Sequence, residues 1–183
     1  RLSSFTVEQA VSTITSETKT LELKNTANDV KIKINADVAW NATTSQSWIQ
    51  VSPSQGQAGS NTITVSVTPN TSVSSRSGYV YFNISSRNVL AIPITQLGYF
   101  IKLASSSVSM KSGEDAVETK VYSNTSWRVK SKPSWLTVTP QSGKDTATIK
   151  LTSVDNPEIV TRQGEVVVAS TVSGINIESK LTV

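Results

Sequence analysis

The chain has 183 residues, with 17 Lys and Arg against 13 Asp and Glu, a formal charge of +4, and neither Cys nor His. Without those two residue types there are no disulfides, thiol nucleophiles, Ser-His-Asp triads or Cys/His metal sites. No apolar run approaches the roughly 18 residues of a membrane-spanning helix, and the basic residues are not clustered as nucleic-acid binding requires.

Charged residues make up 16% of the chain, below the share of about 25% usual for soluble proteins. Ser, Thr and Asn are plentiful, and apolar residues recur regularly throughout. This is the composition of an ordered, strand-rich protein with hydroxyl-rich faces. Along the chain the dominant period is two. Residues 1–10 read as an added N-terminal segment. Over 30–34, Val30, Ile32 and Ile34 point inward and Lys31 and Lys33 outward. Trp40 follows with apolar neighbours. Trp48 precedes Ile49 and Val51, whose inward alternation puts the indole on the opposite face of its strand. Over 62–68 the inward set is Ile63, Val65 and Val67; over 79–84 it is Val80, Phe82 and Ile84. Residues 90–94 form the next strand. Turn residues punctuate these runs at Asn28-Asp29, at 53–56 and at 70–77.

The same scheme then repeats. Strands are predicted over 117–121, 148–151, 165–169 and 175–183, with Trp127 and Trp135 between the first two and turns at Ser112-Gly113, 140–143 and Ser173-Gly174. No helical period stands out. The repetition extends to the residues: 40–56 reads WNATTSQSWIQVSPSQG and 127–143 reads WRVKSKPSWLTVTPQSG, 87 positions apart. Upstream, Leu21, Leu23, Val30 and Ile34 fall on Val108, Met110, Val117 and Val121. Downstream the offset becomes 86, and Asn70, Arg76 and Gly78 fall on Asn156, Arg162 and Gly164. A unit of this length is a small domain rather than a solenoid repeat. Seven or so short strands per copy predict two tandem immunoglobulin-like β-sandwiches, all-β, over 1–97 and 98–183. The short boundary at Leu97-Gly98 predicts an end-to-end join. If Leu181 and Val183 match Ile92 and Ile94, the second copy stops before its own Thr-Gln, and the chain reads as a piece of a longer protein.

The block W-x7-W-[IL]-x-V-[ST]-P-x2-G, the later Asn and Arg-x-Gly, and the Thr95-Gln96 ending resemble the BACON domain (Bacteroidetes-associated carbohydrate-binding often N-terminal). The likeness spans essentially the whole chain as two copies. It implies immunoglobulin-like sandwiches attached to surface or periplasmic glycosidases, proteases and lipoproteins of gut bacteria. It also implies contact with carbohydrate or mucin, although some members look like plain spacers.

The residues themselves supply the candidates. Trp40 and Trp127 read as core. Trp48 and Trp135 either expose a ring to a sugar face, or cover the sandwich edge or rest on Pro53 or Pro140. Tyr79 and Tyr81 both point outward, either as a platform for a glycan or protein or as an ordinary packing pair, with Asn83 offering an amide on the same face. Arg76 and Arg162 follow loops opened by Asn70 and Asn156. Their structural role is to bond loop carbonyls and lay their stems on a Trp; the alternative is to fork onto a sugar carboxylate or sulfate. No carboxylate pair stands in a cleft-like context, so a non-catalytic protein is expected. Asp155-Asn156 and Glu114-Asp115 are too sparse for Ca²⁺, and no cofactor is expected. Two functions remain open: an extracytoplasmic module binding carbohydrate or glycoprotein, and a spacer holding another domain away from a surface. Membrane tethering would come only through other parts of the polypeptide.

Overall fold

The computed structural model describes residues 8–112 and 116–183. The first seven residues of the predicted N-terminal segment, Gly113 of the predicted turn, and Glu114-Asp115 lie outside the described residues. Among the described residues there are seventeen strands and no helix. The chain divides into two compact units. The first comprises Arg1–Pro69 and Arg76–Gln96; the second comprises Asn70–Ser75 and Leu97–Val183.

The first unit contains β1 (Ile14–Ser16), β2 (Leu21–Leu23), β3 (Asn28–Ala36), β4 (Trp40–Thr44), β5 (Ile49–Ser52), β6 (Gln55–Gly56), β7 (Gly59–Val67), β8 (Arg76–Ile84) and β9 (Arg87–Gln96). They form a four-stranded sheet in the order β1-β3-β7-β5 and a five-stranded sheet in the order β2-β9-β8-β4-β6. Pairing is antiparallel except between β2 and β9, which run parallel with Leu23 opposite Gln96. The predicted alternation packs the sheets face to face. Ile32 and Ile34 of β3 and Ile63 and Val65 of β7 meet Val80 and Phe82 of β8 and Ile92 and Ile94 of β9, all at most 1% exposed. Burying each such side chain is worth about 1.5–3 kcal/mol.

The second unit contains β10 (Ile101–Leu103), β11 (Val117–Ser123), β12 (Ser126–Ser131), β13 (Leu136–Thr139), β14 (Ser142–Lys144), β15 (Ala147–Ser153), β16 (Glu165–Val172) and β17 (Ile175–Thr182). The sheets run β10-β11-β15-β13 and β14-β12-β16-β17, around a core of Val121, Trp127, Leu136, Val138, Ile149, Leu151, Val166, Val168 and Leu181. Each unit is thus an immunoglobulin-like β-sandwich. In place of a paired β2, the second unit has one parallel bridge between Ser107 and Thr182.

The invariant frame of the repeated block has a packing cause. Trp40 and Trp127 are each 3% exposed, and the closing glycine of each block lies against the indole. A Cβ on Gly56 or Gly143 would come within 2.6 Å of the ring's Cζ2. We expect Gly143→Ala to cost about 1–3 kcal/mol by overpacking, read as a lower urea midpoint for the second unit.

Four predicted turns are corrected: Gln55 and Gly56 of the turn at 53–56 form β6, Arg76 and Ser77 of that at 70–77 open β8, Ser142 and Gly143 of that at 140–143 open β14, and the fourth is Asn28-Asp29. Asn28 and Asp29 lie in β3, not in a turn. The Asn28 side chain reaches back, its Nδ2 donating to the carbonyls of Thr26 (2.6 Å) and Lys24 (3.5 Å), so it closes the bend before the strand from within the strand.

Candidate functional site

Two clusters of polar and aromatic residues emerge outside the cores, one duplicated and one not. The duplicated one is built on the loop before β8 or β16. Asn70 folds its loop: its Nδ2 donates to Ser74 O (2.9 Å), and its Oδ1 accepts from the Ser72 amide (3.1 Å). Asn156 does the same with Val160 O (2.8 Å) and the Glu158 amide (3.3 Å). These are Asx-type turns, which explains why Asn opens both loops. The arginine that ends each loop then lies over a tryptophan. The guanidinium carbon of Arg76 is 4.3 Å from the Trp48 ring centroid, and that of Arg162 is 4.4 Å from the Trp135 ring centroid.

Each guanidinium also donates back into its loop. Arg76 Nη2 bonds Thr68 O at 2.7 Å, and Arg162 Nη2 bonds Val154 O. Burial lowers the Arg76 pKa from its ordinary value, but the group stays cationic. Trp48 and Trp135 are half-buried, and the arginine takes one face of each ring. These four side chains therefore form a cation–π brace in each copy, and an arginine engaged this way has fewer donors to offer a ligand.

The unduplicated cluster lies on the outer face of β8. Tyr79 is 43% exposed, and its ring lies parallel to that of Tyr81, with centroids 5.7 Å apart and planes inclined by 10°. The strands beside them supply small or polar neighbours. Tyr79 is opposite Pro93, Tyr81 is opposite Ala91 and Thr43, and Asn83 is opposite Asn41. Asn83 Nδ2 contacts Thr43 Oγ1 at 3.4 Å, and the Tyr79 amide donates to Ser45 Oγ at 2.8 Å. Tyr79, Tyr81 and Asn83 thus share one outward face with hydroxyl and amide groups around a stacked aromatic pair. The sequence alternation placed them there; the stacking was not visible in it.

On the matching strand of the second unit the same positions are Glu165, Val167 and Ala169. Here the face is closed over. Lys130 of β12 reaches across β16 to Glu178 of β17 at 2.5 Å, and Lys180 pairs with Glu165 at 3.0 Å. Beneath these stems Val167 and Ala169 are only 6% and 7% exposed. A bulge between Val129 and Ser131 accompanies this arrangement.

Sequence reading also missed Gln96 as a structural residue. It is fully buried at the end of β9, with Oε1 accepting from Arg76 Nε (2.9 Å) and Nε2 donating to Thr26 O and Thr68 O (both 3.0 Å). Among the described residues no group of three Asp and Glu side chains is placed to hold a metal ion.

Comparison with known proteins gives two family matches. Residues 4–99 match the model described as "Viral BACON domain", and residues 125–178 match that described as "Putative binding domain, N-terminal", the BACON model. Among solved structures, a Bacteroides ovatus GH5 xyloglucanase in complex with a XXXG heptasaccharide is 21% identical at a TM-score of 0.44, covering 53% of this chain and 21% of the enzyme's. The chain thus spans about a fifth of that enzyme's length. The D0-D1 domain of intimin is 14% identical at 0.34, covering 92% of this chain and 94% of that one. The Yersinia pseudotuberculosis adhesin InvE is 12% identical at 0.32, covering 93% and 58%. No curated protein matches the chain.

Proposed function

The chain belongs to the BACON family, with one domain in each copy, and from that premise we propose that it is a non-catalytic, extracytoplasmic binding module whose first unit contacts carbohydrate or glycoprotein through Tyr79, Tyr81 and Asn83. The observation that carries this reading is the contrast between the two copies. The groups that build the fold recur in both: the buried Trp and its Gly, the loop Asn, and the Arg over the second Trp. The tyrosine pair occurs in one copy only, while the other covers the same face with ion pairs and stays folded. The sandwich therefore does not require these tyrosines, which leaves them available for recognition.

The chemistry suits a sugar. Aromatic rings gain contact area against the apolar C–H face of a pyranose, and phenol and amide groups beside them exchange hydrogen bonds with its hydroxyls. A flat, open sheet face suits an extended chain of sugars better than a single enclosed monosaccharide. The viral description of the first match accommodates a particle surface as readily as a cell surface, and an outward tyrosine face serves either.

Screening host, plant and microbial glycans, followed by titration of the hits, tests the reading. Saturable binding is expected. Tyr79→Ala/Tyr81→Ala should weaken it by about tenfold or more, because two aromatic contacts are each worth about 0.5–1.5 kcal/mol. The thermal midpoint should move little, since neither ring belongs to the core. A folded chain that binds no glycan or mucin, or whose binding ignores the double substitution, would remove the proposal and favour the spacer reading.

A further inference from the structure

In the second unit, β12 and β16 stop pairing before either strand ends. Their pairing runs from Ser131 opposite Val167 to Arg128 opposite Ala169. Beyond that row β12 still reaches back to Ser126, and β16 continues to Val172, where it turns into β17 through Ser173-Gly174. The two unpaired ends flank a cleft of about 600 Å³, lined among others by Tyr99, Ser126, Arg128, Ser170, Thr171 and Ser173. Ligand pockets commonly have a volume of this order.

The lining is rich in hydroxyls and holds no carboxylate. Ser170 is 6% exposed, yet its hydroxyl makes no hydrogen bond among the described residues. A buried polar group of that kind calls for a partner, and this one lines the cleft. Thr171 Oγ1 donates to Asn176 Oδ1 at 2.6 Å and keeps lone pairs with which to accept. Two cations stand beside these groups. Alternation puts Ser126 and Arg128 of β12 and Ser142 and Lys144 of β14 on the exposed face. Arg128 is opposite Ser142, so Lys144 is its diagonal neighbour, about 7–8 Å away. Glu178 lies in the same row as Arg128, beyond Ala169, but Lys130 engages it at 2.5 Å. Among the described residues neither Arg128 nor Lys144 makes an ion pair. The first copy has no such corner. Asn41 stands where Arg128 does, Gln57 and Ala58 follow Gly56, and β8 ends at Ile84, which falls on Ser170.

We propose that this cleft binds an acidic sugar, a saccharide unit carrying a sulfate ester or a carboxylate. The anion sits between Arg128 and Lys144, where the guanidinium forks onto two of its oxygens and the ammonium supplies a second positive charge. The sugar hydroxyls meet Ser170, Thr171 and Ser173, whose own hydroxyls can donate or accept as a sugar's do. Tyr99, half-buried, adds an aromatic surface to the cleft. The site shares no residue with the face of Tyr79, Tyr81 and Asn83, so the inference does not rest on that reading.

The test titrates the full chain with a sulfated, a uronic-acid and a neutral hexasaccharide at about 0.15 M salt, by calorimetry and amide NMR. At least one acidic probe should bind saturably and shift the amides of residues 125–128 and 169–173; the comparison of the two tells sulfate from carboxylate. Arg128→Gln/Lys144→Gln should weaken that binding by about tenfold or more, with the fold intact because both side chains are exposed. Lys31→Gln/Lys33→Gln removes the same charge from β3 of the first unit and should leave the affinity within about twofold. Failure of both acidic probes to bind overturns the proposal, as does binding that survives the loss of Arg128 and Lys144. An equal loss from the Lys31 and Lys33 substitutions would reveal attraction to net charge alone and overturn it too. So would an acidic peptide of matching charge that binds as tightly, or a loss of acidic-sugar binding in Tyr79→Ala/Tyr81→Ala, which would move the ligand to the first unit.

Discussion

Trp127→Ala is expected to destabilise the second unit by about 3–5 kcal/mol, the usual cost of removing a fully packed large aromatic. Against a total of about 5–15 kcal/mol for a small domain, this takes much of the margin. The ring is 3% exposed and packs on Gly143, so the space it leaves is walled by a residue with no side chain to fill it. Trp40→Ala should have a similar effect on the first unit, where the ring also meets Phe82 edge-on at 5.8 Å. Phenylalanine separates packing from hydrogen bonding. Trp127 Nε1 donates to Asp145 O at 2.9 Å, whereas Trp40 Nε1 is buried without a protein partner among the described residues. Trp127→Phe therefore loses a bond and orphans a carbonyl, while Trp40→Phe removes a donor already desolvated. We expect Trp127→Phe to cost about 1 kcal/mol more than Trp40→Phe. Urea titrations read from NMR signals of each unit would measure both. Equal losses would refute the hydrogen-bond account.

The difference between those two tryptophans marks the limit of what the sequence could show. The repeat, the strand alternation and the inward Trp were legible because each depends on short-range periodicity and on a burial rule. The outward direction of Tyr79 and Tyr81 was legible for the same reason. What escaped depends on long-range geometry. Gln96 meets Thr26 and Thr68, which lie 70 and 28 positions away along the chain. No local pattern announces such a cage. The closed face over Val167 needs Lys130 and Glu178 to arrive from two different strands. Asn28-Asp29 was misread for a related reason. Turn chemistry identifies a residue whose side chain closes a bend, but not whether the residue itself stands in the bend or just after it.

Gln96→Ala should cost the first unit about 2–4 kcal/mol, more than its modest side chain suggests. The substitution takes the acceptor from Arg76 Nε and one of two donors from each of the carbonyls of Thr26 and Thr68, and Thr26 O keeps only its bond from Asn28 Nδ2. An orphaned buried polar group costs about 1–3 kcal/mol, and more when it is charged. Thr68 O keeps its bond from Arg76 Nη2 at 2.7 Å, which holds the total below the sum of three separate losses. A double-mutant cycle with Arg76→Ala identifies the mechanism. If Arg76 and Gln96 act as one network, the second substitution should cost at least about 1 kcal/mol less in the presence of the first. The duplication provides an internal control for this cage. Arg162 keeps the ring contact and the loop carbonyl but has no glutamine on its Nε among the described residues. Arg162→Ala should therefore destabilise its unit by about 1 kcal/mol less than Arg76→Ala does the first, as read from the two urea midpoints. If instead the two arginines prove equally costly, stacking on tryptophan and the loop bond carry the brace by themselves, and Gln96 is a passenger in the core.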